Sequence, residues 1–269
     1  MDATEEPFEL YGFGKNLRRL PLEVTEASNP DMSRQGRMPA GARIRFKTDS
    51  RQVILNLGVK DCVYSYSADI YEYKNGSYKY RAPLEITPTN CGTPILKGYD
   101  YFWPEETEMR EYVVFLPFNL QVEKLEIGIC EGSKVEKPSR YKHDLPILVY
   151  GSSIVHGEKA LRNSSVYTNI LSRMFDSDVI NLGFGANAHA EIPMMEYIAD
   201  QKMSIFIYDY DHNAPDAGYL EKTHLKMYRA IREEQPDLPY IMVSAPNFKY
   251  DGDDYIGRRR VIEDSYRYA

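Results

Sequence analysis

Cysteine is scarce in this sequence: three in 269 residues, Cys62, Cys91 and Cys130, with no Cys-x-x-Cys pair. So odd and scattered a set speaks against a disulfide-framed scaffold and reads as reduced thiols. Long apolar runs are missing too, and no stretch approaches the roughly 18 apolar residues of a membrane-spanning helix. Basic charge is the minority, 33 Lys and Arg against 40 Asp and Glu, for a net charge of −7. A nucleic-acid binder needs a basic face to neutralise phosphates, and anionic membranes attract basic segments. Neither partner is expected. The opening MDATEEPFEL is acidic and lacks the charged-then-apolar layout of a secretory leader. A cytoplasmic location is expected, or a secreted one if a leader has been removed. Metal-ligand spacing is also missing. Asp251, Asp253 and Asp254 cluster, but DGDD reads as a solvated turn without the pattern of a calcium loop. No metal and no cofactor are expected.

What is present is an ordinary globular balance, 43% hydrophobic and 27% charged, enough for a packed core. Tyrosine is abundant, 23 residues, which suits strands or a sugar-binding surface; strands are the expectation. Residues 1–140 read as β. ARIRFKTDS alternates apolar and polar residues, and QVILNLGV follows. ADIYEYKNGSYKYRAP places two alternating Tyr-rich runs around Asn75-Gly76, a pair suited to the positive φ angles of a type I′ hairpin turn. EYVVFLPF and VEKLEIGICE add two strands. No long stretch with a period of 3.6 residues occurs in this half, so a β-sandwich or jelly-roll is expected.

The polar segment 131–144, EGSKVEKPSRYKHD, reads as a linker. Residues 141–269 then alternate strand-like and helix-like runs: LPILVYG and SVYTNILSRMF; DVINLGF and EIPMMEYIADQ; SIFIYDY and DAGYLEKTHLKMYRAIREEQ; PYIMVS and DDYIGRRRVIEDSYRYA. Four such units predict a parallel sheet with helices on both faces. Ligands in such sheets sit beyond the carboxyl ends of the strands. Three loops fall there: Gly151-Ser152-Ser153, Gly183-Phe184-Gly185, and Asp209 to Asn213.

Each loop has a bland reading and a chemical one. Ser153 at a strand-to-helix turn is either an N-cap or an exposed nucleophile. A phosphate cradle would need GxxxxGK[ST] or GxGxxG, and neither is present. Glycines in NLGFGANAH let a backbone approach a ligand closely. Asn213 either makes an Asx turn before Pro215 or donates its amide to an oxyanion.

Taken together, GSSIVHG, INLGFGANA and DHNAPD resemble the first three blocks of the SGNH, or GDSL-type, hydrolase family. The β-rich first half and GFGKNLRRLPLE are similar to the N-terminal domain of a bacterial branch with sugar-ester and other esterase members. The resemblance covers nearly the whole chain. It implies a flavodoxin-like α/β/α domain, Ser153 as nucleophile, and oxyanion donors from the backbone N–H of Ala186 (or Gly185) and the Asn213 side chain. Departures from the family pattern are Val155 for threonine, His156 for glutamine, Gly185 for serine and Ala186 for the oxyanion glycine.

The family's fourth block, Asp-x-x-His after a fifth strand, supplies the general base; no such segment is found, so the domain is expected to lack its last strand and helix. Of the five histidines, His156, His189 and His212 are the weak candidates for a base. Asp209-Tyr210-Asp211-His212 has the Asp-x-x-His spacing, but on the asparagine loop. His143 is expected to be solvated in the linker, and His224 to lie on a helix surface or between domains. An open sheet edge invites a homodimer or a longer natural chain. The expected activity is deacylation of a small acyl ester, such as an acetylated carbohydrate, impaired for want of a base. The alternative is a non-catalytic glycan-binding or interaction protein that keeps the fold.

Overall fold

The computed structural model describes residues 1–62, 66–86, 97–102, 107–245 and 252–269. The first half contains β1 (Glu9–Tyr11), α1 (Leu22–Ser28), α2 (Pro30–Gln35), β2 (Arg43–Thr48), β3 (Gln52–Cys62), β4 (Tyr66–Lys74), β5 (Ser77–Ile86), β6 (Lys97–Phe102), β7 (Arg110–Phe115), β8 (Leu120–Ile129) and β9 (Val135–Glu136). Two antiparallel sheets form, one in the order β1-β2-β7-β4-β5 with β9 on β2, the other β6-β3-β8. Ile44, Phe46, Ile70 and Val114 from the first sheet meet Val53, Leu55, Leu125 and Ile127 from the second in one apolar core. The β4–β5 hairpin turns at Asn75 and Gly76, with φ of 51° and 78°, as a type I′ turn requires.

The second half contains β10 (His143–Gly151), α3 (Ser153–His156), a short 3-10 turn, α4 (Tyr167–Phe175), β11 (Ser177–Gly183), α5 (Ile192–Ala199), β12 (Ile205–Asp209), α6 (Ala217–Glu234), β13 (Tyr240–Met242) and α7 (Asp253–Tyr268). Its strands are all parallel, in the order β11-β10-β12-β13. The first strand of this domain lies between the second and third, so the crevice opens beyond its carboxyl end. Alternate residues serve opposite faces. Leu148, Tyr150, Leu182 and Phe206 pack with residues of α5, α6 and α7, whereas Ile147, Val149, Val179 and Ile207 pack on the side of α4. Among the described residues β13 is paired along one side only. Beside it Ile205, Ile207 and Ile241 line an apolar groove with Leu171 and Phe175.

Three expectations are corrected. The first half does contain helices, α1 and α2, of seven and six residues, too short to display a helical period. Asn29 caps α2 by accepting from Asp31 N at 3.0 Å, with Pro30 at the first helical position. Leu20 and Met32 from this segment insert into the core of the α/β domain. The 131–144 linker is partly strand: β9 pairs with β2, and β10 starts at His143. His224 is not on a surface; it is on the buried face of α6, stacked 4.5 Å from the Tyr208 ring.

The two halves are joined through charge. Arg43 and Arg45 on β2 are fully buried on the face opposite the sandwich core. Arg43 reaches the second half, donating to Tyr141 Oη at 2.7 Å and to Asp178 at 2.5 Å, while Arg45 pairs within the first half with Glu111 at 2.6 Å. Tyr73 and Tyr78 of the hairpin donate to the two oxygens of Asp176 at 2.8 and 2.7 Å. Buried charges of this kind persist when they are paired or well hydrogen-bonded.

Candidate active site

The site begins where β10 ends. A Cβ on Gly151 would lie 2.0 Å from Asp209 O, so a side chain there would push β12 away from the turn. Ser152, the next residue, is the N-cap of α3, its Oγ accepting from Ile154 N at 3.3 Å. The capping role therefore falls to Ser152, and Ser153, half-buried, keeps its hydroxyl for the cavity.

That cavity has a volume of about 520 Å³. Its wall includes Ser153, His156, Gly185, Ala186, His212 and Asn213, so one space gathers all three loops. The candidate His189 is not in the wall; its ring meets that of Tyr219 edge-on and lies 3.8 Å from Glu191. Arg34, Gln35, Met38 and Asn119 come to the same wall from the first half of the chain.

The second loop is held from several sides. Asn181, buried on β11, accepts from Gly183 N at 2.8 Å and donates to Val155 O at 2.6 Å and Thr168 Oγ1 at 3.0 Å. Gly183 touches α3 so closely that a Cβ would meet His156 N at 2.1 Å. Phe184 N donates to Gly151 O at 2.9 Å. Beyond it, an added Cβ on Gly185 would be 3.6 Å from Ser153 Cβ, and Ala186 adopts a left-handed φ of 58°. The family's glycine position thus keeps its glycine-like backbone with alanine. The backbone N–H groups of Ser153, Gly185 and Ala186 donate to no other group among the described residues. Asn213 Nδ2 donates to Phe184 O at 2.7 Å, which uses one of its two N–H bonds and leaves the second. Several donors thus surround one cavity, an arrangement suited to an oxyanion.

The histidines are less well placed. His156 is buried, with Nδ1 3.1 Å from Gly183 O and Nε2 3.0 Å from Asn119 Oδ1. Both ring nitrogens face oxygen atoms of the wall, and a neutral ring can donate to only one of them. Burial, reinforced by the positive charge of Arg19, pushes its pKa down to about 3, so the ring is neutral at ordinary pH. His212 lines the cavity, but Ser153 Oγ makes no hydrogen bond to any histidine among the described residues. At the end of β12, burial and the neighbouring Asp211 raise the Asp209 carboxyl to about 7; Tyr167 donates to it at 3.2 Å.

Sequence reading passed over Arg19, Gln35, Asn119 and Asn181. The opening GFGKNLRRLPLE carried a signal for Arg19, but only as a segment. Gln35 and Asn119 sit far from the motif loops along the chain, and folding alone brings them there.

Comparison with known families places this geometry. The model described as the GDSL-like lipase/acylhydrolase family matches residues 144–255. A second, for the N-terminus of SGNH-hydrolase-type esterases, matches residues 1–135. The chain belongs to the SGNH/GDSL-type hydrolase family. Among solved structures, this SGNH hydrolase resembles a putative GDSL-like lipase from Bacteroides ovatus, with a TM-score of 0.84 and 23% identity over 97% of this chain and 80% of that one. A salicylyl-acyltransferase from a tetracycline biosynthetic pathway follows at a TM-score of 0.81 and 16% identity, over 100% of this chain and 80% of that one. A family two carbohydrate esterase from Cellvibrio japonicus matches at 0.66 and 12%, over 100% and 84%. At these identities the solved structures establish the shared fold. A comparison with curated protein sequences found no match.

Proposed function

We propose that this SGNH hydrolase cleaves a small acyl ester of a carbohydrate through Ser153. The observation that carries the reading is the cavity in which Ser153, relieved of capping by Ser152, faces unbonded backbone N–H groups and Asn213. Ser153 Oγ adds to the ester carbonyl carbon and gives its proton to water. The oxyanion is held by the N–H groups of Ser153 and Ala186 or Gly185 and by Asn213 Nδ2. The carbon–oxygen bond to the sugar then breaks, and the alcohol leaves with a proton. Water hydrolyses the acyl-serine, releasing the acid and restoring the hydroxyl. The polar and charged wall of Arg34, Gln35, Asn119 and Glu158 suits an alcohol rich in hydroxyl groups, and support also comes from the carbohydrate esterases that share the fold.

The rate of these 269 residues is expected to be low, because no histidine is bonded to Ser153 among the described residues. Serine proteases deprived of a triad member keep roughly 10³–10⁴-fold catalysis over water. The test is hydrolysis of p-nitrophenyl acetate by the chain and by Ser153→Ala. A rate well above that of the variant supports the reading. Equal rates for the two proteins would reject it and leave a binding role for the cavity.

A further inference from the structure

The loop with the oxyanion donors is gripped by side chains from the first half of the chain. Gln35, buried at the end of α2, donates from Nε2 to Gly185 O at 2.9 Å. Asn187 Nδ2 donates to the same oxygen at 2.7 Å. This carbonyl belongs to the peptide group whose other end is the Ala186 N–H. In a planar trans peptide the two ends point in opposite directions, so a held Gly185 oxygen aims the Ala186 N–H. That N–H donates to nothing else among the described residues.

Gln35 is itself held. Arg19 is buried, and its guanidinium donates to Gln35 O at 3.0 Å, to Asn181 O at 2.9 Å and to Gly183 O at 2.8 Å. It also lies over the Phe184 ring at 4.5 Å. No carboxylate pairs with it among the described residues. A buried cation spent on main-chain carbonyls does little for a sandwich core and a great deal for loop geometry. The Gly183 oxygen also faces His156 Nδ1, so Arg19 and the last residue of α3 meet at one carbonyl of the second loop.

The geometry points to Gln35 as a positioning residue for the oxyanion hole, with Arg19 as its anchor. The inference rests on the Ser153 reading above and adds that the hole is completed from outside the α/β domain. Gln35 does not take part in bond making; it acts through the Gly185–Ala186 peptide.

The experiment is saturation kinetics of Ser153 phosphonylation by a fluorophosphonate, in which the serine oxygen displaces fluoride from phosphorus. Wild type is compared with Gln35→Met and with Gln35→Glu, which keeps the shape but replaces the N–H donor by a carboxylate oxygen. Loss of one oxyanion donor typically costs 10²–10³-fold, and a donor left in place but poorly aimed should cost about 10- to 100-fold. The limiting rate is therefore expected to fall by that factor in both variants, with half-saturating probe concentration within about twofold of wild type. Arg19→Lys, which keeps the charge but loses the fork onto two carbonyls, is expected to fall in the same way. A purely structural role would lower thermal stability and leave the limiting rate of the folded protein unchanged, which would overturn the inference. Should Gln35→Met not fold, the isosteric Gln35→Glu decides. If wild type is not labelled at Ser153 at all, the serine reading itself fails and this inference falls with it. Labelling of wild type together with equal limiting rates in the variants removes the positioning role alone.

Discussion

Ala186 pairs a side chain with a backbone angle that suits glycine. At φ 58° it is in the left-handed region, which costs an L-residue about 1–2 kcal/mol. Ala186→Gly removes that cost but frees the unfolded chain. The net expectation is a gain of about 1 kcal/mol, read as a rise in the denaturant midpoint at unchanged slope. A loss of stability would mean that the methyl group packs in the cavity wall better than the strain harms it. At the same scale, the neighbouring serines divide their work: Ser152 accepts the capping bond and Ser153 does not. A sequence with two adjacent serines at such a turn leaves both assignments open. The first helical φ and ψ decide between them, and these follow from how β10 meets β12.

At the scale of elements, Asp209 at the end of β12 and Asp211 just beyond it are close enough to interact. The Asp209 carboxyl, raised from 3.8 to about 7 by burial and by Asp211, binds its proton more tightly folded than unfolded. Its neutral form favours the fold. That contribution is complete below the unfolded value and is lost as pH rises through about 7. Asp209→Asn, which is never ionised, should therefore be more stable than wild type at about pH 8. The advantage should vanish near pH 4, measured by urea unfolding at both values. An advantage independent of pH would show that Asp209 stays ionised in the folded protein. His156 behaves oppositely. With its pKa lowered to about 3, the folded ring resists protonation, and stability falls as pH drops below about 6.5. The strand–helix alternation after residue 141 and the Asn75-Gly76 hairpin were legible because each has a strong period or a turn with a steric requirement. The helices α1 and α2 were not, since six or seven residues span less than two turns and their stability comes from packing.

At the scale of the molecule, the halves are interlocked. Leu20 and Met32 fill the same core as Leu182, Phe184 and Met194, and Arg19 and Gln35 hold the second loop. A fragment of residues 141–269 would lose these contacts, and removing even one buried large apolar side chain costs about 2–5 kcal/mol. Folded domains hold only about 5–15 kcal/mol in reserve. The fragment is therefore expected to lack a cooperative thermal transition, and the full chain to show one. A sharp transition in the fragment would show that the α/β domain is self-sufficient.

The sequence by itself determined the class of fold, the parallel order of strand and helix, the hairpin turn and the three loops that meet in one cavity. Local rules suffice for these: hydrophobic period, turn sterics, and the rule that ligands sit at the carboxyl ends of parallel strands. Only the tertiary structure decided the rest. It showed that His156 faces Gly183 O and Asn119, that His189 lies outside the cavity wall, and that His224 is core. It also brought Arg19, Gln35 and Asn119 to a site whose motifs lie between residues 151 and 213. A side chain's period along its own element tells which face it occupies. It does not tell which distant element will cover that face, because that depends on how the two sheets and their connecting segments pack.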